Sequence, residues 1–419
     1  MINKKKIKVA IFHCGFIYSG GGERIVLEEA KGLIRKGYEV EIFGPTLDPK
    51  LCFPEEVRNL GVRTFLPQLP SFIPARHAFT MLASAILAPF FALRFKDVDI
   101  FLGANQPGAW IAYCVAKTLR KPYFVYMNQP NRLLYHREID EEVNWQNLKE
   151  YYFIDDLIKM LRPVVCYIDR ISFTKGKTIL VNGTYIGDII RKIYKAEVDN
   201  CPAGAFVQKK SDIRSSRKSI YQGDFKVKNL EGKDFSIKKP YIFLTNRHVP
   251  QKRFEYAIKA LPFVVKKFPD ISLVVPGPFT SYTNELKKLA KSLNVFQNII
   301  FPGQISEGLL QKLYQESAVY VYTSPEEDFG MGIIEAMGWG VPVVAWNHAG
   351  PTVTVVNNKT GYLAKPYSVE DFAKKIVSVI SDKNKRVELG KNAWEHVKKN
   401  FSWQKHVDIL EKAIKQEIN

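Results

Sequence analysis

The first half of the chain alternates short apolar runs with stretches that carry apolar residues at helical spacing. Glu23–Lys36 shows the helical pattern, because its apolar positions return every three or four residues. This alternation predicts a parallel sheet with helices on both faces. The runs that we predict as strands are Lys8–Cys14, Tyr38–Phe43, Arg63–Leu66, Asp99–Gly103, Tyr123–Met127 and Thr178–Val181.

A second series of strand and helix patterns begins at Tyr241. With the first series it predicts an α/β protein of two doubly wound domains, at residues 1–205 and 241–400. A last helical pattern follows, within residues 401–419. The strands predicted in the second half are Tyr241–Thr245, Ile271–Val275, Ile299–Phe301, Val319–Tyr322, Pro342–Trp346 and Gly361–Leu363.

The segment between the two series, residues 206–240, is rich in Lys and Arg and sparse in apolar residues. We interpret it as a basic linker with a solvated surface excursion that includes a short hairpin at Ile220–Val227. A basic flap on a membrane-facing edge is the alternative interpretation.

Composition narrows the choice of function. Hydrophobic residues make up 46% of the chain, enough for two cores, and the formal net charge is +19. That charge reflects either a Lys-rich proteome or attraction to polyanions such as nucleic acid, anionic lipid or lipid-linked phosphate. The 5 cysteines are scattered without a Cys-x-x-Cys pair. They indicate a reducing compartment and argue against a disulfide framework or a zinc site.

An almost wholly apolar stretch, Ala78–Phe95, resembles a membrane segment in composition. As one helix it would reach roughly 27 Å at ~1.5 Å per residue, just short of a bilayer core, and Pro89 interrupts it. We favour a helix of the first domain, with a helix lying in the membrane surface as the next interpretation. The basic N-terminus lacks the apolar length of a signal peptide.

A glycine-rich turn with acidic residues, Ser324–Met337, lies between a predicted strand and a predicted helix. Open α/β sheets bind ligands at this edge, and the amides of a helix start favour phosphate. Glu327 and Glu335 lie so that both can face one ligand, and carboxylates accept hydrogen bonds from vicinal hydroxyls. The pattern indicates a nucleotide-sugar, although an ordinary loop with solvated acids fits the spacing equally well.

Two further groups follow predicted strands at the same kind of edge. Arg247 and Lys252 come after the first strand of the second domain, where cations can hold phosphate. In the first domain, Gly20–Glu23 permits close approach of backbone to a ligand. This loop lacks the G-x-G-x-x-G spacing, and the second strand ends without an acid, so a dehydrogenase is disfavoured. Asp97 and Asp99 lie at the start of a predicted strand and not at its carboxyl end, so we expect no metal site there.

These stretches resemble the signatures of retaining family 4 glycosyltransferases, whose GT-B fold has two Rossmann-like domains facing across a cleft. The resemblance implies that Glu327 contacts the donor sugar, Glu335 the ribose, and Arg247 with Lys252 the diphosphate. Asn128 stands where the family has a histidine. Further donor-binding positions implied are Gly330, Met331, Gly332, Ile333, Ile334, Gly303 and Ile305; those implied for the acceptor and cleft are Gly20, Gly21, Gly22, Glu23, Asn128 and Arg132.

The resemblance extends to dolichol-pathway mannosyltransferases. It implies metal-independent transfer of a hexose, mannose being favoured, from a GDP- or UDP-linked donor to a glycan or a polyprenyl- or dolichyl-phosphate-linked acceptor. No cofactor is implied, and the helix at 401–419 is expected to pack back on the first domain. With the basic charge, this favours a cytoplasmic protein bound peripherally to an anionic membrane, with no nucleic acid partner. The alternatives are a non-hydrolysing sugar-nucleotide epimerase and an inactive sugar- or lipid-binding protein.

Overall fold

A computed structural model describes residues 6–73, 75–132, 134–139, 160–209 and 225–418. Contacts within the chain divide it into two compact units. The first unit comprises Met1–Gly204 together with Trp403–Asn419, and the second comprises Ala205–Ser402.

The first unit is built on a parallel sheet in the order β3-β2-β1-β4-β5-β6-β7. Its strands are β1 (Lys8–His13), β2 (Glu39–Gly44), β3 (Arg63–Thr64), β4 (Ile100–Ala104), β5 (Tyr123–Met127), β6 (Ile179–Val181) and β7 (Asp199–Asn200). Its helices before the second unit are α1 (Gly21–Arg35), α2 (Pro54–Asn59), α3 (Arg76–Leu87), α4 (Gly108–Leu119), α5 (Arg162–Thr174) and α6 (Thr184–Tyr194).

The apolar stretch Ala78–Phe95 does not form one helix. Helix α3 ends at Leu87, and a 3-10 turn at Ala92–Phe95 follows. Pro89 lies between them and has no N–H to continue the helical ladder. Phe95 lies in the core, edge-on to Phe12 with ring centroids 5.2 Å apart. Of the residues that the structure describes, none forms a helix both long and apolar enough to cross a membrane.

The second unit contains a parallel sheet in the order β12-β11-β10-β13-β14-β15 and an antiparallel hairpin, β8–β9. The strands are β8 (Phe225–Lys228), β9 (Asp234–Ile237), β10 (Tyr241–Phe243), β11 (Ser272–Val274), β12 (Ile299–Ile300), β13 (Val319–Val321), β14 (Val343–Trp346) and β15 (Gly361–Ala364). The helices are α7 (Glu255–Val265), α8 (Ser281–Ser292), α9 (Glu307–Glu316), α10 (Met331–Gly338), α11 (Pro351–Thr354), α12 (Val369–Ser381) and α13 (Lys383–Asn400). Short 3-10 turns lie at Pro250–Lys252 and Phe296–Asn298.

The observed hairpin lies downstream of the hairpin predicted at Ile220–Val227. Residues 220–224 lie outside the described part of the chain, and the strand described there begins at Phe225. Its partner, β9, falls in a stretch where the sequence had predicted no strand. The two strands are joined through Asn229, whose backbone N–H donates to the carbonyl of Lys233 at 3.0 Å.

The last helix, α14 (Trp403–Ile418), belongs to the first unit and packs against α1. Gly32 permits the close approach, because a Cβ at this position would lie 2.2 Å from a methyl carbon of Val407. His406 Nε2 lies 3.1 Å from Glu29 Oε1, and both side chains are fully buried. The return of the chain to the first unit therefore depends on both close packing and a buried polar contact.

Both units are α/β, with parallel sheets covered by helices, so the predicted fold class is confirmed. The predicted strands coincide with observed ones to within two residues at either end. The carboxyl ends of β10, β13 and β14 lie at one edge of the second sheet because the three strands are parallel neighbours.

Candidate functional site

The turn between β13 and α10 folds as the glycine-rich sequence predicts. Gly330, just before the helix, has φ 89°, a left-handed conformation that favours glycine. The first amides of α10 have no carbonyl partner within the helix, although that of Ile333 donates to the carbonyl of Gly330 at 3.0 Å, and the helix dipole places positive potential there. Gly332 is held to a minimal side chain, since a Cβ would lie 2.3 Å from the hydroxyl of Tyr320. The geometry suits an anion resting on the amides of this helix start.

Lys252 and Glu327 form an ion pair at this edge. Lys252 Nζ lies 2.8 Å from Glu327 Oε2, and the side chains are about one-fifth exposed, at 22% and 19%. Burial alone would raise the pKa of Glu327, but the charge of Lys252 and hydrogen bonds from Lys252, Tyr322 and Ser324 outweigh it and lower the pKa to about 2. Glu327 is therefore ionised at any physiological pH and serves as a hydrogen-bond acceptor.

Glu335 is held by a cluster of tyrosines under the start of α10. Tyr314 donates its hydroxyl to Glu335 Oε2 at 2.9 Å. Tyr320 packs against Tyr314 with ring centroids 5.5 Å apart, and it donates to the carbonyl of Thr245 at 3.2 Å. Tyr322 hydrogen-bonds Glu327. The tyrosines thus connect the two predicted acids to the end of β10.

Arg247 follows β10 at the same edge of the sheet. Its side chain is exposed, and its backbone N–H donates to Asn246 Oδ1 at 2.9 Å. Asn246 hydrogen-bonds Tyr322, which also contacts Glu327. The ion pair and the tyrosine cluster therefore bring Lys252, Glu327 and Glu335 together, and Arg247 lies beside them on an exposed loop.

His248, which lies between the two cations in sequence, is a buried structural residue. Its Nδ1 lies 2.9 Å from Thr283 Oγ1, and Thr280 donates its hydroxyl to the His248 carbonyl at 2.6 Å. Burial lowers the pKa of His248 to about 4, so the imidazole is neutral. It anchors the loop that carries Arg247 to the start of α8.

The turn with Glu327 also rests on the loop after β14. The backbone N–H of Gly350 donates to the carbonyl of Glu327 at 2.7 Å. A Cβ on Gly350 would lie 2.5 Å from the backbone nitrogen of Phe329. Only glycine permits this close contact between the two backbones. The contact holds the Glu327 turn against the loop that follows β14.

The loop with the predicted donor-binding residues Gly303 and Ile305 is braced by the β8–β9 hairpin. Asn229 Nδ2 donates to the carbonyl of Pro302 at 2.8 Å, and the backbone N–H of Leu230 donates to the carbonyl of Gln304 at 3.0 Å. Gly303, with φ 79°, lies between these contacts, and Ile305 follows it. The sequence pattern did not indicate Asn229, because it lies in a segment without periodicity.

In the first unit, the start of α1 lies beside two polar side chains that follow strands. A Cβ added to Gly22 would lie 3.5 Å from Asn128 Nδ2 and 3.6 Å from His13 Cε1. Gly20 precedes the helix and Gly21 begins it. Glu23 is buried, with a carboxylate oxygen 2.5 Å from where a Gly20 Cβ would lie. The glycines thus allow two strand-end polar groups and a helix start to meet.

Asn128 is held by its backbone and not by its amide. Its N–H donates to Asn105 Oδ1 at 2.9 Å, while its side-chain atoms Nδ2 and Oδ1 are buried and have no partner in the described residues. Such atoms call for an explanation, and a bound ligand or water supplies one. His13, which sequence analysis missed, ends β1 beside it. Burial lowers the pKa of His13 to about 4, so it is neutral. Arg132 is half-buried on the same loop.

Within the described residues, no group of three or more His, Cys, Asp or Glu side chains is arranged as a metal site. Lys252 and the start of α10 place positive charge near Glu327.

Comparison with known proteins gives the family. A model described as "Glycosyl transferases group 1" matches residues 228–396, and one described as "Glycosyltransferase Family 4" matches residues 19–199. The chain belongs to these glycosyltransferases. The first match contains Arg247, Lys252, Glu327 and Glu335, and the second contains the Gly20–Glu23 loop.

One relative matches almost the full length of the chain, and a second matches just over half of it. Alpha-1,3/1,6-mannosyltransferase ALG2 of Dictyostelium discoideum is 26% identical over 441 residues, which cover 99% of each chain. A GDP-Man:Man(3)GlcNAc(2)-PP-Dol alpha-1,2-mannosyltransferase of the same organism is 28% identical over 257 residues, or 58% of this chain and 48% of that protein. The crystal structure of Anabaena HepE in complex with UDP and glucose has a TM-score of 0.71 at 17% identity, covering 98% of this chain and 100% of the other. The fold is GT-B.

Proposed function

We propose that this glycosyltransferase moves mannose from a nucleotide-sugar to a glycan carried on a polyprenyl or dolichyl pyrophosphate, with retention of anomeric configuration. The observation that carries the proposal is the end-to-end similarity to an ALG2 mannosyltransferase, which covers 99% of both chains. The partial similarity to an enzyme named for GDP-Man favours GDP over UDP as the donor nucleotide.

The donor residues are assigned from the second unit. Lys252, Arg247 and the amides of Gly330–Ile334 hold the diphosphate, while Glu335 accepts from the ribose and Glu327 from the sugar hydroxyls. The ion pair of Lys252 with Glu327 supports this assignment, because it holds the cation at the edge where phosphate is expected. The backbone of Gly303 and Ile305 borders the base.

The chemical step breaks the bond between the sugar C1 and the phosphate oxygen and forms a bond between C1 and the acceptor oxygen. The diphosphate gains negative charge as it leaves, and Lys252, Arg247 and the helix start stabilise that charge. One preorganised donor of this kind contributes roughly 3–4 kcal/mol. The acceptor oxygen attacks C1 on the face that the phosphate leaves, which gives retention. The acceptor's proton passes to the departing phosphate. Ionised Glu327 is an acceptor and does not supply a proton.

The acceptor is bound by residues of the first unit. Gly20–Glu23 approaches the acceptor closely, Asn128 orients a hydroxyl with its unpartnered amide, and Arg132 contacts a phosphate. An amide at this position orients without exchanging protons, so no step depends on a histidine there. A lipid-linked acceptor would place the protein at a membrane, and the basic charge favours an anionic, cytoplasmic surface.

The experiment is a transfer assay with the full chain, a short-chain polyprenyl-pyrophosphate glycan acceptor, and GDP-mannose, UDP-glucose and UDP-N-acetylglucosamine in parallel. The expected result is acceptor that gains one hexose from GDP-mannose, with the donor's anomeric configuration in the product by NMR. Epimerised donor without transfer would identify an epimerase. Binding without turnover of any donor would identify an inactive protein, and either result overturns the proposal.

A further inference from the structure

Helix α3 and the turn that follows it expose several large apolar side chains, although Phe95 of the same turn lies in the core. Phe79, Leu82, Ile86, Phe90 and Leu93 recur at intervals of three and four residues and form one stripe, which we name the docking face. All five are exposed, and the two after the helix most of all, at 78% for Phe90 and 73% for Leu93. Together they offer several hundred square ångströms of apolar surface, comparable to the largest patch of an ordinary monomer.

The opposite side of the same segment is small and partly polar, yet it is buried. Thr80 is 3% exposed, and Ser84, Ala88 and Ala92 are fully buried. This arrangement is the reverse of a surface helix in water, which buries its large apolar residues. Small side chains thus pack against the core on one side of this segment, and bulky apolar side chains face outward on the other.

The orientation of α3 is fixed by hydrogen bonds. The indole of Trp110 on α4 donates to the carbonyl of Ala85 at 2.9 Å. Beyond the helix, Arg94 donates to the carbonyl of Phe65 at 2.9 Å. Rotation of α3 that buried the docking face would break the first contact and expose Ala88. The stripe is therefore held outward by the fold.

A second apolar stripe lies on a neighbouring helix. Met160, Val164 and Tyr167, at the start of α5, are exposed and spaced by four and three residues. Helix α4 packs against both α3 and α5. The exposed apolar residues are thus shared by helices on either side of α4.

The charge of the sequence around the docking face indicates which kind of partner could cover it. Between Glu56 and Glu138 the sequence contains 10 Lys and Arg residues but only 2 acids, Asp97 and Asp99. Asp99 accepts from the backbone nitrogen of Lys8 at 2.8 Å and is already engaged. Lys121 donates to the carbonyls of Lys96 and Val98, which places a cation at the end of the stripe. An apolar stripe bordered by cations fits an interface of acyl chains and anionic headgroups.

We propose that the docking face inserts into the surface of an anionic lipid bilayer. The inference deepens the proposed function, since it rests on a lipid-linked acceptor and names the surface that meets its membrane. The apolar side chains enter the boundary between headgroups and acyl chains, and the surrounding Lys and Arg side chains contact the anionic headgroups. A second copy is disfavoured as occupant, because a symmetric contact would bring two like-charged borders together.

The test is flotation of the full chain with vesicles of phosphatidylcholine alone or with about one-third phosphatidylglycerol. The variant is Leu82→Gln, Ile86→Gln and Phe90→Gln together. All three positions are exposed, so circular dichroism and the melting temperature should match wild type. The control combines Phe263→Gln, Phe296→Gln and Val387→Gln, which alter three exposed apolar residues of the second unit.

We expect wild type and control to float with the anionic vesicles, and the docking-face variant to need at least about tenfold more lipid for half-binding. Raised salt should weaken wild-type binding. Transfer to a short-chain, water-soluble acceptor should be unchanged in the variant, which separates this inference from the proposed function. Equal flotation of variant and wild type would overturn it. A wild-type dimer in lipid-free sedimentation that the variant converts to monomer would overturn it in favour of a second copy.

Discussion

The ammonium of Lys252 lies 2.8 Å from the carboxylate of Glu327, although the residues are 75 positions apart in sequence. The contact links the 3-10 turn after β10 to the turn before α10. Glu327 Oε2 accepts one of the three hydrogen bonds that the Lys252 ammonium can donate, so the ammonium can also donate to a phosphate. Under the proposed function, the pair would hold a cation near the leaving diphosphate and a carboxylate near the sugar.

Replacing Lys252 tests this assignment. Lys252→Ala removes a charge expected to stabilise the departing diphosphate, and it leaves Glu327 without its partner. We expect kcat/KM for the nucleotide-sugar to fall at least about tenfold, equivalent to roughly 1.4 kcal/mol. Lys238→Ala is the control, since Lys238 is an exposed lysine of the same unit, 61% accessible. Wild-type kinetics in Lys252→Ala would remove the lysine from the site.

The hydrogen bond from Tyr314 to Glu335 predicts a milder phenotype. Tyr314→Phe keeps the ring that packs against Phe243, with centroids 5.0 Å apart, but removes the hydroxyl that orients the carboxylate. If Glu335 binds the ribose, the donor KM should rise about three- to tenfold, with kcat little changed. Isothermal titration with GDP should show the same loss. Tyr362→Phe is the control, and a drop confined to kcat would contradict a ribose-binding role.

The hydrogen bond from Asn229 of the β8–β9 hairpin to the carbonyl of Pro302 predicts that a residue outside the sequence motifs affects nucleotide affinity. Asn229→Ala removes the donor to the carbonyl of Pro302 and leaves a buried carbonyl unsatisfied, at a cost of about 1–3 kcal/mol. The loop that carries Gly303 should loosen, and affinity for the nucleotide should fall by about threefold or more. Glu231→Ala changes an exposed residue of the same hairpin and should leave affinity intact. Unchanged nucleotide binding in Asn229→Ala would show that the loop does not border the base.

The proximity of Lys252 and Glu327 could be predicted from the order of the strands. Lys252 and Glu327 each follow a parallel strand, and the carboxyl ends of neighbouring strands meet at one edge, so strand order alone brings them together. Tyr314 and Tyr320 could not be predicted this way. Tyr320 belongs to an apolar strand pattern, and Tyr314 to a helix, so neither pattern reveals a hydroxyl directed at Glu335 or at a backbone carbonyl.

Other features depend on packing that periodicity does not encode. The apolar stretch Ala78–Phe95 is helical only as far as Leu87, and its spacing fits an inward or an outward stripe equally well. The burial of Ser84 and the exposure of Ile86 show that the stripe faces outward, an orientation in which the Trp110 indole donates to the carbonyl of Ala85. Asn229 acts through one tertiary hydrogen bond across 73 residues.

The buried pair of Glu29 and His406 predicts a pH-dependent stability of the first unit. His406 Nδ1 faces the carbonyl of Pro202 at 3.1 Å, so Nε2 and Glu29 Oε1 need a proton between them. Burial disfavours the charged imidazole, but Cys201 and Glu29 outweigh it and raise the pKa of His406 well above its ordinary value. The pKa of Glu29 is also raised, in this case because burial disfavours the charged carboxylate.

A raised pKa means that the folded state holds the proton more tightly than the unfolded state. The contribution is complete below the unfolded pKa of about 6.5 and is lost as pH rises through the folded value. His406→Gln should destabilise the first unit by about 3–5 kcal/mol near pH 6, because it leaves Glu29 buried without its partner. Calorimetry of wild type, His406→Gln and the exposed neighbour control Lys405→Gln should show the gap to wild type narrowing from about pH 6 to pH 9 for His406→Gln alone. A gap that stays constant with pH would mean that the pair contributes packing and no proton linkage.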